Sequence, residues 1–572
     1  MTARPSARMT AGAWAALGVP LLAGLVWWTC APVWQHPQLD PDDYRYLAIA
    51  AAPDASLGSG WVVENRWDHL WWVDAAPVRF FRPAVITSFR LDHALWSAGS
   101  GGFQATNVLL HALCALLVVA VLRRWWGSAP AAWLGGLVWA SLACHAETIW
   151  YLSGRTETLA AAGFLGALAA QAQPRPAVRV LAPIGYALAL LSKELTLALP
   201  LVALAADRCI LGRGPTLGAL VRADRGLYAG YAAVLVGWAT LRRWALGPEG
   251  TGMLPFPYFV APDAPGFAAH VTTQLRSYAA NLVAGDLTPP FLQPAQLDAW
   301  LSPAGRWLAP VLAAALLASQ VVRPAGRVLV GLGLATWLPT APVYVSERYL
   351  ELPSFAVVAA LAGMVAGLAR RRGAAGALVA LLVAWALLQA GELARKNRVM
   401  AEVPRAPAAV AARLADLGPA LRDGRPLLFV DFPGDWVHAQ FLEDQLRVDW
   451  RQPAVRARVL APMGPPWREP APAVTPEGAA RLRVRAAGAL VDRREQLFPT
   501  VPLVDGTRIA GPHLGLDVTI VDGDGARARA IVADLPTPVA DWHVVRFVPP
   551  AGAEPDTTPG YVILGGRFEL LR

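Results

Sequence analysis

Long apolar runs recur along this chain at positions 10–34, 106–122, 129–146, 156–172, 226–241, 304–322, 327–344, 349–369 and 373–394. A helix needs about 20 mostly apolar residues to cross a hydrocarbon core about 30 Å thick, so this repetition restricts the chain to a polytopic membrane fold. Only 16% of the residues are charged and 55% are hydrophobic, whereas a soluble globular protein carries about 25% charged residues. Mean hydropathy is +0.39. These values argue against a soluble enzyme and are the opposite of the disordered signature.

The first run follows Arg4 and Arg8 and reads as an uncleaved signal anchor, because no small-residue cleavage pattern surrounds Trp27-Trp28-Thr29-Cys30. The stretch 178–207 differs from the other runs. Two short apolar segments are interrupted there by Ser192-Lys193-Glu194, the pattern of a helical hairpin dipping into the bilayer. Counting it as two crossings gives about 11 spans, with the N-terminus cytoplasmic and the C-terminus outside. Arg123-Arg124, Arg175, Arg179, Arg208, Arg213, Arg222, Arg225, Arg323, Arg327 and Arg370-Arg371-Arg372 then fall on the cytoplasmic side, as cationic anchors do. Arg242-Arg243 and Arg395-Lys396-Arg398 are the exceptions. The net charge of +9 therefore reads as membrane anchoring, not nucleic-acid binding.

The expected fold class is a polytopic α-helical membrane domain, 1–399, with outer loops at 35–105 and 245–303. In the second loop, Val271, Leu275, Tyr278, Ala279 and Leu282 recur at helical spacing, fitting either an interfacial helix or an ordinary packing helix. Composition changes near Met400. Residues 400–572 read as a small α/β or β-rich extracytoplasmic domain, with strands at LLFVDF, LDVTIVDGDGARARAIVA, HVVRFV and GYVILGG and a helix over 436–446. Asp522-Gly523-Asp524-Gly525 lacks the further ligands of a calcium loop and reads as a hairpin turn. Cys30, Cys114, Cys144 and Cys209 lie in or beside apolar runs and read as buried free thiols.

Of 50 basic residues only Lys193 and Lys396 are lysines, a bias with Ala, Gly and Pro that suggests a GC-rich bacterial genome and hence the bacterial inner membrane. Ionised side chains are costly in a bilayer, yet several flank the outer ends of apolar runs. Asp42 and Asp43 follow the first span; His145, Glu147 and Arg155 follow the third; Lys193 and Glu194 sit at the hairpin tip; Glu347 and Arg348 precede the tenth. Each singly fits an interfacial pair, and a lone His111 fits a satisfied polar residue between helices. Together they fit a site for a phosphate-bearing lipid and a hydroxyl acceptor, with Arg as a fork and Lys as a point charge on the phosphate.

In order, PDDYRYLAIA, FFRPAVITSFRLDHALWSAGSGGFQATNVLLHAL, HAETIWYLSGRTETLAA, LLSKELTLALPL and SERYLELPS resemble the integral-membrane glycosyltransferases of the GT-C superfamily. They are most similar to bacterial relatives of the transmembrane-and-TPR O-mannosyltransferases, over roughly residues 10–395. The resemblance implies transfer of a sugar from a polyprenyl-phosphate donor to an extracytoplasmic acceptor, a protein hydroxyl or envelope glycan. It assigns Asp42 and Asp43 to the acidic pair of the first outer loop, one carboxylate of which acts as base on the acceptor; Asp42 is the first choice for base and Asp43 for acceptor or metal contact, with the reverse order left open. It makes Arg155, Lys193 and Arg348 the donor-phosphate cations, and Arg82, Asn107, His111, His145, Glu147, Glu194 and Glu347 supporting residues. Two departures are plain. The family's His-Pro-x-His-x-Glu segment has Leu142 and Ala143 in place of its first His and Pro, and the C-terminal region shows no TPR period.

Attack by a hydroxyl on an anomeric carbon needs a base and a stabilised phosphate leaving group. A single displacement inverts the anomeric centre. No cofactor is required by this scheme, although a divalent cation is compatible with it and its ligands are unknown. A transporter or flippase of a lipid-linked or envelope substrate is the alternative, since broken helices and intramembrane charges also mark substrate pathways.

Overall fold

The computed structural model describes residues 10–571 except 53–58, 75, 98, 253–257, 289–293, 369–371, 403–405, 434–435, 462–471, 492–500, 511–514 and 549–566. Five helices are long and apolar enough to cross a membrane by length and composition: Gly12–Gln35, Ser100–Trp126, Ala304–Val321, Glu347–Leu368 and the one beginning at Gly373. The other six expected spans are helices of 11 to 22 residues: Ala129–Ser141, Arg155–Gln171, Leu181–Ser192, Leu199–Cys209, Arg225–Leu246 and Pro324–Trp337. Several apolar runs overstate helix length because they continue through a turn. The 129–146 run breaks at the 3-10 turn Ala143–His145, and the 327–344 run breaks at Leu338–Thr340, which contains Pro339. The chain is a multi-pass membrane protein, and its outward-facing side chains fit lipid contact: Leu201, Val311 and Leu388 are 72%, 64% and 74% exposed.

Arg155–Gln171 and Leu181–Ser192 form an antiparallel pair whose backbones touch through glycine. A Cβ on Gly163 would lie 2.6 Å from Ala189 N, and one on Gly185 would lie 2.8 Å from Ala167 N. Small residues permit such close approach where lipid supplies no hydrophobic drive between helices. The antiparallel register brings the first turn of one helix beside the break after the other. Lys193 is extended (φ −160°, ψ 136°) at that break, as the Ser-Lys-Glu interruption predicts.

Among the expected topological exceptions, Lys396 is accounted for by packing. Its ammonium is buried and bonds Glu347 Oε1 at 2.6 Å, so it is an internal counterion. The Phe267–Ala284 helix forms where its periodicity predicts, but its polar stripe faces inward: Thr273, Gln274, Ser277 and Asn281 are buried while Leu275 is exposed. Gln274 donates to the carbonyls of Thr340 and Val343 at 3.0 and 2.6 Å, satisfying the backbone freed at the 338–340 turn.

The C-terminal region holds two sheets. In the first, Leu427–Asp431 lies between His543–Val548 and Ala457–Val459, parallel to both, and Arg567–Leu571 pairs antiparallel at the edge. The helix Trp436–Trp450 follows Leu427–Asp431, all five of whose residues are buried. In the second sheet, Ala473–Pro476, Arg481–Arg485, Ala528–Asp534, Asp517–Gly525 and Leu503–Val504 are neighbours in that order. The Asp522–Gly525 tetrad ends a hairpin strand: Asp524 Oδ1 accepts from Ala526 N and Arg527 N at 3.0 and 2.9 Å. The expected strand GYVILGG lies outside the described residues.

This domain does not close on itself. Trp67, Trp71 and Trp72 of the 35–105 loop share one core with Leu428, Phe429, Val484 and Ile531, and Trp71 Nε1 donates to Leu460 O at 2.7 Å. Three tryptophans in a loop otherwise rich in polar residues need such a partner, since each offers about 150–250 Å² of surface to bury. Structurally, therefore, part of the 35–105 loop is built into the 400–572 unit.

Candidate active site

The acidic pair opens the helix Pro41–Ala51, with Pro41 in its first turn. Asp43 Oδ2 accepts from Asp40 N at 3.0 Å, closing one half of a capping box. Its Oδ1 accepts from Ser153 N at 2.9 Å, and its side chain is fully buried. Burial pushes the Asp43 carboxyl up to about 7. Asp42, one residue earlier, is only half-buried and feels the charges of Arg348 and Glu147. Burial and the Glu147 charge raise its carboxyl above the ordinary carboxylate range, against the pull of Arg348. The two neighbours thus have different surroundings: Asp43 bonds the helix to the turn at 151–155, and Asp42 presents a carboxylate to the cluster.

Glu147 organises the opposite wall. Ser346 Oγ donates to both of its oxygens at 2.8 Å, and Arg348 N donates to Oε2 at 3.1 Å. The Arg348 guanidinium lies 3.5 Å from Glu147 and 3.9 Å from Glu157, and it donates to the Tyr344 hydroxyl. Lys193 bonds Glu157 and sits 4.8 Å from the centre of the Tyr349 ring. Lys193, Glu157 and Arg348 line a narrow cleft whose remaining walls include Ala160, Leu195, Leu352 and Pro353. Beside it, Arg82 holds Glu194 through two contacts of 2.5 and 3.3 Å, and this pairing lowers the Glu194 carboxyl to about 2. Glu147, Lys193 and Arg348 thus come together around Glu157, with Asp42 within electrostatic range of Arg348 and Glu147.

Three expected participants lie elsewhere. Arg155 is fully buried and saturated: it pairs with Asp92 at 2.6 Å, bonds Asn107 Oδ1 at 2.7 Å and Phe103 O at 2.8 Å, and stacks 4.3 Å over Phe89. Its guanidinium is committed to protein groups, which removes it from the set available to a donor phosphate. His145 is also fully buried, with Nε2 3.1 Å from Ser354 Oγ and 3.9 Å from Glu351. Glu347 points away from its neighbour Arg348 into the buried Lys396 pair, where Asn281 Nδ2 also reaches it at 3.3 Å. Successive residues of the 3-10 turn Glu347–Leu350 project about 120° apart, so adjacency in sequence did not place Glu347 and Arg348 together. Asn107 and His111 bond the carbonyls of Tyr151 and Ala140 at 2.8 and 3.2 Å and serve helix packing.

Sequence reasoning missed Glu157, Tyr344 and Ser346. The signal for Glu157 was present: a carboxylate in the first turn of an apolar span is a functional candidate wherever it occurs. Tyr344 and Ser346 are ordinary residues whose significance comes only from facing Arg348 and Glu147. Among the described residues no group of three or more His, Cys, Asp or Glu is arranged to hold a metal ion.

No family model matches the chain. Over 110 residues it is 28% identical to the protein O-mannosyl-transferase TMTC2 of Mus musculus and, equally, of Homo sapiens. That stretch is 18% of this chain and 13% of each relative, so the chain matches only a small part of their length. Among solved structures it is similar to ArnT from Cupriavidus metallidurans bound to undecaprenyl phosphate, at 18% identity and TM-score 0.38, over 80% of this chain and 87% of that one. It is also similar to the apo oligosaccharyltransferase of Archaeoglobus fulgidus, at 12% identity and TM-score 0.45, over 79% of this chain and 65% of that one.

Proposed function

We propose that the chain is a membrane glycosyltransferase that moves a sugar from a polyprenyl-phosphate donor to an extracytoplasmic hydroxyl, on a protein or an envelope glycan, with inversion. The observation that carries this reading is the cleft lined by Arg348 and Lys193, with the half-buried Asp42 carboxylate within electrostatic range of Arg348 and Glu147. Asp42 takes the proton of the attacking hydroxyl. Its raised pKa suits a base working near neutral pH, because a stronger base accepts the proton more readily in the transition state. Arg348 and Lys193 receive the charge that develops on the leaving phosphate, and fixed cations there replace the water that the phosphate loses on entering the site. Glu157 holds Lys193 and flanks Arg348 until the donor arrives. Asp43 and Glu147 act as positioning residues, the first for the helix that bears Asp42 and the second for the turn that bears Arg348.

In this reading the bacterial inner membrane holds the chain with its N-terminus cytoplasmic and its C-terminal domain outside, so that the cluster meets donor and acceptor on one face. The deciding experiment is transfer from defined polyprenyl-phosphate sugars by the purified protein. Transfer that needs the lipid phosphate and disappears in Asp42→Asn supports the proposal. Equal use of soluble nucleotide sugars overturns it.

A further inference from the structure

A second cavity, of about 760 Å³, lies where the first outer loop meets the C-terminal domain, lined among others by Arg66, His69, Arg456, Arg458, Thr537 and Asp541. Its volume falls in the range of about 300–1,000 Å³ typical of small-ligand sites. Its charges are unevenly settled. Arg458 is held by Glu443 at 2.5 Å and Arg425 by Asp423 at 2.8 Å. Arg66 and Arg456 have no carboxylate partner among the described residues. The Arg66 Nε is buried without a hydrogen-bond partner, and one Arg66 Nη lies 3.2 Å from His69 Nε2. Because a guanidinium can only donate, that histidine nitrogen must accept, which keeps His69 neutral. Burial and the arginines around it press the His69 pKa down to about 2 in the same sense.

The same cavity also offers polar groups to a hydroxyl. Asp541 is exposed and unpaired by any cation among the described residues, and the Thr537 hydroxyl accepts from Trp542 Nε1 at 3.0 Å, leaving its own proton to donate. An inorganic anion would use the arginines and ignore these groups. A neutral sugar would bond Asp541 and leave Arg66 uncompensated. A ligand that carries both an anionic group and hydroxyls satisfies both. We propose that this cavity is a binding site for an anionic saccharide, a sugar bearing phosphate or carboxylate, held by Arg66 and Arg456 at its charge and by Asp541 and Thr537 at its hydroxyls. The site concerns binding alone and stands whether or not the Asp42 cluster transfers a sugar.

The test is calorimetric titration of the full chain in detergent with glucose 6-phosphate, glucuronate, glucose and inorganic phosphate. The two anionic sugars are expected to bind saturably and at least tenfold more tightly than either glucose or phosphate. Arg456 is exposed, so Arg456→Gln leaves the fold intact and should weaken both anionic sugars at least tenfold. Asp541→Asn should weaken them severalfold without changing phosphate binding. The proposal is overturned if phosphate alone binds as well as the sugars, if no probe saturates, or if Arg456→Gln changes nothing.

Discussion

The carboxylate of Asp43 and the backbone N–H of Ser153 meet at 2.9 Å across two segments of chain 110 residues apart. The bond ties the helix that presents Asp42 to the turn preceding the Arg155–Gln171 helix, and so fixes the proposed base against the cluster. Asp43→Asn keeps the shape but can place only one oxygen where two acceptors were used. We expect a loss of about 1–3 kcal/mol in stability, read as a lower melting temperature, with reduced kcat and unchanged donor KM. Because the folded pKa, about 7, lies above the unfolded one, the carboxyl's contribution is full below about pH 4 and fades as pH rises toward 7. The gap in Tm between parent and Asn variant should narrow over that window as pH rises.

Asp42→Asn removes the base without disturbing those bonds. Transfer should fall about 100- to 10,000-fold while the melting temperature stays within a degree or two of the parent. A variant that keeps full activity would show that Asp42 takes no proton.

The pH profile follows from the same environment. On the proposed mechanism transfer needs ionised Asp42, so kcat/KM should fall as pH drops through its pKa, and this acid limb should lie above the ordinary value of about 3.9. Glu147→Gln still accepts from Ser346 and Arg348 N but removes one of the charges that raise it. The limb should therefore move to lower pH in that variant.

Arg348 and Lys193 should behave differently when altered. Arg348→Lys keeps a charge and loses the fork, so donor KM should rise about tenfold with folding retained. Glu157→Gln releases Lys193 from its counterion and should tighten binding of the bare polyprenyl phosphate, measured by competition against the donor. If the Gln variant binds it more weakly, Glu157 does not compete with the phosphate for Lys193.

The Glu347–Lys396 pair offers a stability test away from the cluster. Lys396→Met leaves a buried carboxylate unpaired and should cost about 3–5 kcal/mol, while Lys396→Met with Glu347→Gln should recover most of it. Thermal unfolding of the detergent-solubilised variants checks both.

Much of the membrane part was legible because apolar length is a property of local sequence. The runs fell on helices, and the Ser192-Lys193-Glu194 interruption fell on the break that brings Lys193 to the cleft. What could not be read was which charges remain available. Arg155 and Lys193 look alike as cations beside apolar runs, yet Arg155 meets Asp92, Asn107 and Phe103 on other helices. Pairing of that kind depends on tertiary register. The same holds for the Phe267–Ala284 helix, whose apolar spacing suggested one buried face while the irregular 338–343 backbone drew its polar face inward. The place of Trp67, Trp71 and Trp72 was equally hidden, because their partner strands lie too far along the chain for any local pattern to reveal.

That distance has a consequence for biosynthesis. Trp71 and the Leu460 carbonyl it bonds are 389 residues apart, and at about 5–20 residues per second a ribosome takes roughly 20–80 s to make the intervening chain. During that interval the first loop has left the ribosome with its indoles uncovered, and Arg45 lacks Asp444, 3.4 Å away in the finished fold. The helix that carries Asp42 is consequently completed last although it is made among the first, so on the proposed function the newborn protein cannot act until its final domain arrives. A premature stop after the last span would leave a chain with an exposed aromatic surface, a natural target for quality control.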